Sequence, residues 1–183
     1  MNPTRILLPL LLLCTALCGC KSYTWGNSKL PAAYRDTAVP FFTNTTDQPE
    51  VEALLTQAVR REIMADGALR LKDLDDAASV IRGRVRRFDT RVARFSSEAR
   101  DLPVEFRATM SVEAWVEDTA GNILLPKRTL TQNTTVVPTH HVAAADASAV
   151  AVTDMATAKQ AAAIRLSALL ARDILFYINT PNQ

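Results

Sequence analysis

Arginine is the residue type that could carry chemistry in this 183-residue chain, because six arginines fall between positions 82 and 94. The segment Ser79 to Ala93 (SVIRGRVRRFDTRVA) alternates polar and apolar residues, which predicts a β-strand. Alternation puts Arg82, Arg84 and Arg86 on one face of that strand. Because guanidinium groups form paired hydrogen bonds with phosphate, the row suits a phosphorylated glycolipid. The candidates for contact with such a glycolipid are Arg82, Arg84, Arg86 and Arg94.

The same arginines have a second interpretation, as partners of carboxylates on the neighbouring strand. Glu105, Glu113 and Glu117 fall on the polar side of the next predicted strand. Opposite charges commonly face each other across exposed antiparallel strands, and each pair stabilises by at most about 1 kcal/mol. At the level of sequence both interpretations stay open.

Other constellations of reactive residues are weak. His140 and His141 have no Cys, Asp or Glu at ligand spacing before Asp146, so we predict no metal site. A glycine-rich phosphate loop and a nucleophile with a suitable base are both missing. We expect no catalytic residue, no cofactor and no enzyme activity. Three loop aspartates are interpreted as solvated charges: Asp73, Asp75 and Asp76.

The N-terminus predicts export. Arg5 precedes the apolar run Ile6 to Leu17, which at about twelve residues fits a signal peptide and is shorter than a bilayer span. The closing Leu17-Cys18-Gly19-Cys20 resembles the lipobox of bacterial lipoproteins. It predicts a signal peptide over 1–19, cleavage before Cys20 and acylation of Cys20. The alternative is an ordinary signal peptide with a coincidental cysteine.

The rest of the chain predicts a short tether and one domain. Residues 20–31 are polar and suit a tether between lipid and fold, followed by a single α+β domain over 32–183. Lys21 stands where lipoproteins of the inner membrane commonly carry Asp, which favours the periplasmic side of the outer membrane. The net charge of +2 does not indicate a nucleic-acid partner.

Hydrophobic periodicity predicts the elements of that domain. The first helix should follow a capping box at Asp47 and Glu50 and end at Gly67, and a second helix should begin beyond Thr153. Residues 138–152 give no clear pattern. The strands are predicted over 37–42, 79–93, 104–118 and 123–137.

The order β-α-β-β-β-α predicts a two-layer sandwich with both helices on one face of a four-stranded, mainly antiparallel sheet. In the third strand the period of two puts Met110 and Val112 towards the helices. Thr109 and Ser111 should then lie on the wet face.

The order and several segments resemble the LptE family of lipopolysaccharide-assembly lipoproteins. The quoted matches are AVPFFTNTT, EALLTQAVRREIMADGALRL, ASVIRGRVRRFDT and FRATMSVEAWVEDTAGNIL. The resemblance implies a subunit that plugs the outer-membrane barrel LptD and helps lipopolysaccharide reach the cell surface. It also implies that basic residues on the sheet contact lipopolysaccharide, with Arg94 near a family arginine, whereas His141 to Ala149 offers no Lys or Arg.

A rival resemblance is to outer-membrane lipoproteins that activate peptidoglycan synthases. Those proteins also have a strand ending in a V-x-P-F-x-N-like segment, followed by a helix. Their strands and helices usually alternate further along the chain. Three consecutive long strands therefore favour the LptE resemblance.

Overall fold

The computed structural model describes residues 30–95, 103–137, 140–142, 151–153 and 155–180. The predicted signal peptide and Cys20 lie outside these ranges, as does the predicted tether up to residue 29. Leu30, at the end of that tether, is buried in the core. Within the described residues, two α-helices pack against a six-stranded mixed sheet.

The helices are α1 (Val51–Asp66) and α2 (Met155–Asn179). The sheet contains β1 (Asp36–Ala38), β2 (Thr43–Asn44), β3 (Arg70–Leu71), β4 (Ser79–Phe95), β5 (Pro103–Asp118) and β6 (Ile123–Val136). A separate two-stranded sheet pairs β7 (His140–Val142) with β8 (Ala151–Thr153), in the region that has no clear hydrophobic pattern.

The prediction of a four-stranded sheet is wrong, and the two extra strands are short. Of the predicted strand over 37–42, only residues 37 and 38 belong to a strand, β1; residues 39–42 form no strand, and β2 follows them. Both β1 and β2 pair in parallel with β4. Pro40 lies in the interruption, where its missing N–H cannot continue a ladder. After α1, β3 adds to the outer edge of β1, again in parallel. A two-residue strand is too short to show a period in sequence.

The first helix ends as predicted but begins differently. The capping box at Asp47 and Glu50 does not form, since Glu50 adopts a left-handed conformation (φ 63°) without a side-chain cap. Asn44 braces this turn instead, because its Nδ2 donates to the Gln48 carbonyl at 2.8 Å and to Glu52 at 2.9 Å. At the other end Gly67, with φ 72°, donates its N–H to the Ile63 carbonyl at 3.1 Å.

The apolar stripes of both helices are buried, which confirms the predicted faces. The stripe residues with no exposed surface are Val51, Leu55, Val59 and Ile63 in α1 and Leu166, Leu170 and Ile174 in α2. Helix α2 runs along β6, where Asp173 accepts a hydrogen bond from Gln132 at 2.7 Å and the Tyr177 hydroxyl donates to the Pro126 carbonyl at 2.6 Å.

The predicted alternation of β5 is also confirmed from Phe106 onward. Its core side is buried throughout, at Phe106, Ala108, Met110, Val112, Ala114 and Val116. Thr109 and Ser111 lie on the opposite side and are half-buried. Val104 departs from the pattern because a register shift near Phe95 leaves it out of the one-to-one pairing.

Strand β4 has a close contact with the core at Gly83. The Phe42 ring, in the segment that joins β1 to β2, lies so near that a Cβ at position 83 would overlap its carbon atoms. Glycine is therefore required here for space. This contact fixes β4 against the segment that joins β1 to β2.

Candidate functional site

The sheet has an open face, which we define as the side of β4, β5 and β6 turned away from α1 and α2. It carries arginines, threonines and one tryptophan, whereas the opposite face carries the apolar residues of the core. Its exposed or half-buried residues on β4 and β5 are Arg82, Arg84, Arg87, Asp89, Arg91, Arg94, Glu105, Arg107, Thr109, Ser111, Glu113, Trp115 and Glu117.

A β-bulge at Arg86 changes which arginines share this face. Val85 pairs with Val112 and Arg87 with Ser111, so Arg86 has no partner of its own. Beyond the bulge the alternation shifts by one residue, and Phe88 pairs with Met110 on the core side. The predicted row of Arg82, Arg84 and Arg86 is therefore interrupted by the bulge at Arg86, which is exposed.

Arg82 is held by a carboxylate. Its Nε lies 2.7 Å from Glu117 Oε1, and the Trp115 indole N–H donates to the other oxygen of Glu117 at 3.0 Å. The hydrogen bond from Arg82, followed by that from Trp115, lowers the pKa of Glu117 against the opposing effect of burial. On the far side of Trp115, the Lys127 ammonium lies 4.8 Å from the ring centroid.

Of the other candidates, Arg94 has an ion-pair partner among the described residues, whereas Arg84 and Arg86 have none there. Arg94 Nε lies 3.0 Å from Glu105 Oε2, with 66% of the arginine side chain still exposed. Arg84 stands opposite Glu113 in the ladder. Within the described part of the chain, neither Arg84 nor Arg86 forms an ion pair within the 4.0 Å limit. Carboxylate pairing thus accounts for two of the four predicted residues.

A shallow depression of about 300 Å³ lies further along the open face, and we call it the arginine depression. Its lining is Arg87, Asp89, Arg91, Arg107 and Thr109. Asp89 bridges two of the arginines, at 2.8 Å from Arg91 and 3.0 Å from Arg87. These hydrogen bonds, that from Arg91 first, lower the pKa of Asp89, so the carboxylate is ionised at neutral pH.

The charges of the arginine depression do not balance. Arg91 stands directly opposite Arg107 on the neighbouring strand, an arrangement of like charges that costs stability. Among the described residues Arg107 has no ion pair within 4.0 Å. Three guanidinium groups face one carboxylate, so the depression has donors left for an anion.

The sequence analysis did not select Arg87, Arg91 or Arg107. The bulge hides the first two, because a strict period of two from Arg82 leads to Arg86. Arg107 lies on another strand and joins the group only through the register of β4 with β5. In the sequence, Arg107 could be matched with Arg91 only by counting residues back from the β4–β5 connection. Two further register shifts near Arg94 make that count unreliable.

The remaining candidates from the sequence are three loop aspartates and two adjacent histidines. Asp73, Asp75 and Asp76 are exposed, with the Asp76 N–H bonded to the Asp73 carbonyl at 3.1 Å in a turn. His140 and His141 lie in β7, and their side chains are outside the description. The described residues contain no group of three His, Cys, Asp or Glu placed to hold a metal ion. Neither described helix combines the length and apolarity that crossing a membrane requires.

Comparison with known proteins assigns the chain to a family. The family model for LptE, described as lipopolysaccharide-assembly, matches residues 34–178. The chain belongs to the LptE family. The match starts just before β1 and ends within the last turn of α2, so it includes every residue of the arginine depression.

Solved structures with similarity to this member of the LptE family are distant in sequence. A protein of Xanthomonas campestris shares the fold, with a TM-score of 0.51 at 14% identity, over 80% of this chain and 86% of that one. A minor lipoprotein of Acinetobacter baumannii gives 0.46 at 16% identity, over 81% and 92%. Rare lipoprotein B of Shewanella oneidensis gives 0.43 at 14%, over 76% and 91%. No curated protein matches the chain.

Proposed function

We propose that this LptE-family protein is a lipid-anchored outer-membrane subunit of the lipopolysaccharide assembly machinery. In this role it plugs an LptD barrel and contacts lipopolysaccharide through its open face. The observation that carries the proposal is the arginine depression, where three guanidinium groups and a single carboxylate meet on a chain of this family. The protein acts as a binding subunit and not as a catalyst.

The chemistry of the depression suits phosphate groups on a glycolipid. Arg107 has no described carboxylate partner, and Arg91 keeps 74% of its side chain exposed while it touches Asp89. A phosphate between Arg91 and Arg107 would relieve their repulsion, because each can donate two hydrogen bonds to it. Arg84 and Arg86 extend the basic surface along the strand. Arg82 and Arg94 could contact lipid only after their ion pairs with Glu117 and Glu105 had opened.

The proposed anchor places this surface near a membrane. Cys20, the proposed acylation site, precedes Leu30 by ten residues, which span at most about 36 Å when extended. Several acyl chains bind a bilayer far more firmly than a single chain. The fold then stays close to the periplasmic side of the outer membrane, where a barrel partner is embedded.

Lipopolysaccharide affinity of the purified protein tests the binding face. Reversing two charges of the depression, as Arg87→Glu with Arg107→Glu, should weaken binding by about tenfold or more, since hydrogen bonds between charged groups contribute about 1.5–3 kcal/mol each. Added salt should lower the affinity of the parent protein for lipopolysaccharide and should change the affinity of the variant little. A suitable matched control is Arg61→Glu with Arg165→Glu, two exposed arginines on the helices.

Two outcomes would contradict the proposal at different levels. Equal losses of affinity in the depression variant and the helix control would mean that net charge alone governs binding. That result would contradict the proposal that the open face is the binding face. Purification of the native protein from solubilised outer membrane tests the assembly role. A co-purifying large barrel supports it, whereas a peptidoglycan synthase in its place would favour the rival family role.

A further inference from the structure

Strand β4 has a free edge along its second half. On its outer side the pairing with β2 ends at Val85, whose carbonyl accepts a hydrogen bond from the Thr45 N–H at 3.1 Å. From Arg86 to Phe95, no described strand pairs with this side of β4. The edge is irregular, because Arg86 and Ala93 are bulge residues without a partner in β5. Bulges and charges hinder the addition of another strand, so this edge favours a ligand that is not a β-strand.

The side of β4 that faces the helices loses its cover along the same half. Val85 has no exposed surface and Phe88 is half-buried against the core, whereas Val92 is 41% and Phe95 52% exposed. Val92 pairs with Phe106, which points into the core and is buried. Phe95 follows an arginine of the open face, and successive side chains of a strand point to opposite faces. We call Val92 and Phe95 the apolar ledge.

The apolar ledge and the arginine depression lie back to back on one strand. Arg91 of the depression and Val92 of the ledge are consecutive residues, so their side chains point to opposite faces. From the ladder position shared by Arg91 and Arg107, the free edge is about 5 Å away, one strand spacing. A ligand that crosses this edge passes from guanidinium donors to apolar side chains.

We propose that the apolar ledge binds acyl chains of the glycolipid whose phosphate occupies the arginine depression, a proposal that rests on the function proposed above. The lipid then wraps around the free edge of β4, with its phosphate on the open face and part of an acyl chain on the ledge. The two surfaces match the two chemical parts of such a molecule, since phosphate takes charged donors and acyl chains take apolar surface.

The ledge is compatible with a position inside a barrel. The lumen of a membrane barrel is polar, whereas its apolar band faces the lipid outside. An acyl chain that enters the lumen therefore finds little apolar surface on the barrel wall. Exposed apolar residues beside the phosphate donors of the plug would supply it.

Affinity for intact and deacylated lipopolysaccharide tests the ledge in the purified full chain. The ledge variant is Val92→Ser with Phe95→Ser, which removes exposed apolar surface and should keep the melting temperature. It should bind intact lipopolysaccharide about fivefold or more weakly than the parent, because apolar burial is lost. Its affinity for lipopolysaccharide that has been stripped of acyl chains by alkali and retains its phosphates should equal that of the parent.

Two further variants serve as controls. Ile164→Ser with Phe176→Ser removes exposed apolar residues of similar size from α2 and should leave both affinities unchanged. Val92→Leu with Phe95→Leu keeps the ledge apolar and should retain most of the affinity for the intact lipid. A loss in the α2 control as large as that in the ledge variant would overturn the inference, because exposed apolar surface in general would then govern binding.

The ledge and the binding face fail in different ways. A ledge variant that binds intact lipopolysaccharide as tightly as the parent, or that loses equally with the deacylated form, overturns the ledge. If Arg87→Glu with Arg107→Glu still weakens binding of both forms, the binding face stands without it. If that depression variant binds both forms like the parent, the proposed binding face fails, and the ledge inference fails with it.

Discussion

At the scale of single residues, carboxylates decide which arginines of the open face keep donors for a ligand. Glu117 and Glu105 each hold one arginine, at 2.7 and 3.0 Å. Asp89 is shared by two, which leaves both with unused N–H groups. The sequence left lipid contact and carboxylate pairing open, and the structure gives carboxylate partners to some arginines and not to others.

A second residue-scale feature, the contact of Gly83 with Phe42, gives a stability prediction. Gly83→Ala should lower the free energy of unfolding by about 1–3 kcal/mol, because the added methyl group would overlap the ring and force strand β4 or Phe42 to move. Thermal or urea unfolding measures the loss. In a Phe42→Leu background the same change should cost less. An equal cost in both backgrounds would show that the ring contact is not the reason.

At the scale of elements, the sequence predicted long periodic segments well and short or shifted ones poorly. Helix α2 and strand β5 carry many regularly spaced apolar residues, so their faces were predicted correctly. The two-residue strands β2 and β3 depend on neighbours distant in sequence, which a local pattern does not contain. The bulge at Arg86 is likewise a property of two strands together. This is why the arginine depression was missed although each of its residues is an ordinary member of a predicted strand.

The face assignment of β5 leads to a paired prediction. Met110→Asp or Val112→Asp should destabilise the fold by several kcal/mol, about 3 or more, since both side chains have no exposed surface and a charge there lacks a partner. Thr109→Asp and Ser111→Asp should cost within about 1 kcal/mol, as the open face is hydrated. Melting curves of the four variants check this. Similar losses in both pairs would reverse the face assignment.

At the scale of the whole molecule, the proposed membrane attachment depends on a residue outside the described ranges. If Cys20 is acylated, Cys20→Ala should remove fatty-acid label and leave either an uncleaved precursor or a form released from the outer membrane, because lipid supplies nearly all of the membrane affinity. Metabolic labelling with a fatty-acid analogue and membrane fractionation measure both effects. Equal label on the parent and the variant would rule out the lipoprotein prediction.

The parallel pairing of β1 and β2 with β4 has a consequence for the order of folding. Strands β4, β5 and β6 are joined by local connections, whereas Thr37 of β1 meets Ser79 of β4, 42 positions later. Local contacts form sooner than distant ones, because closing a long loop costs more conformational entropy. The chain segment nearest the proposed lipid is therefore among the last to join the sheet. If the N-terminus directs export as the sequence predicts, this segment emerges first and stays unpaired until the strands at the centre of its own sheet have emerged.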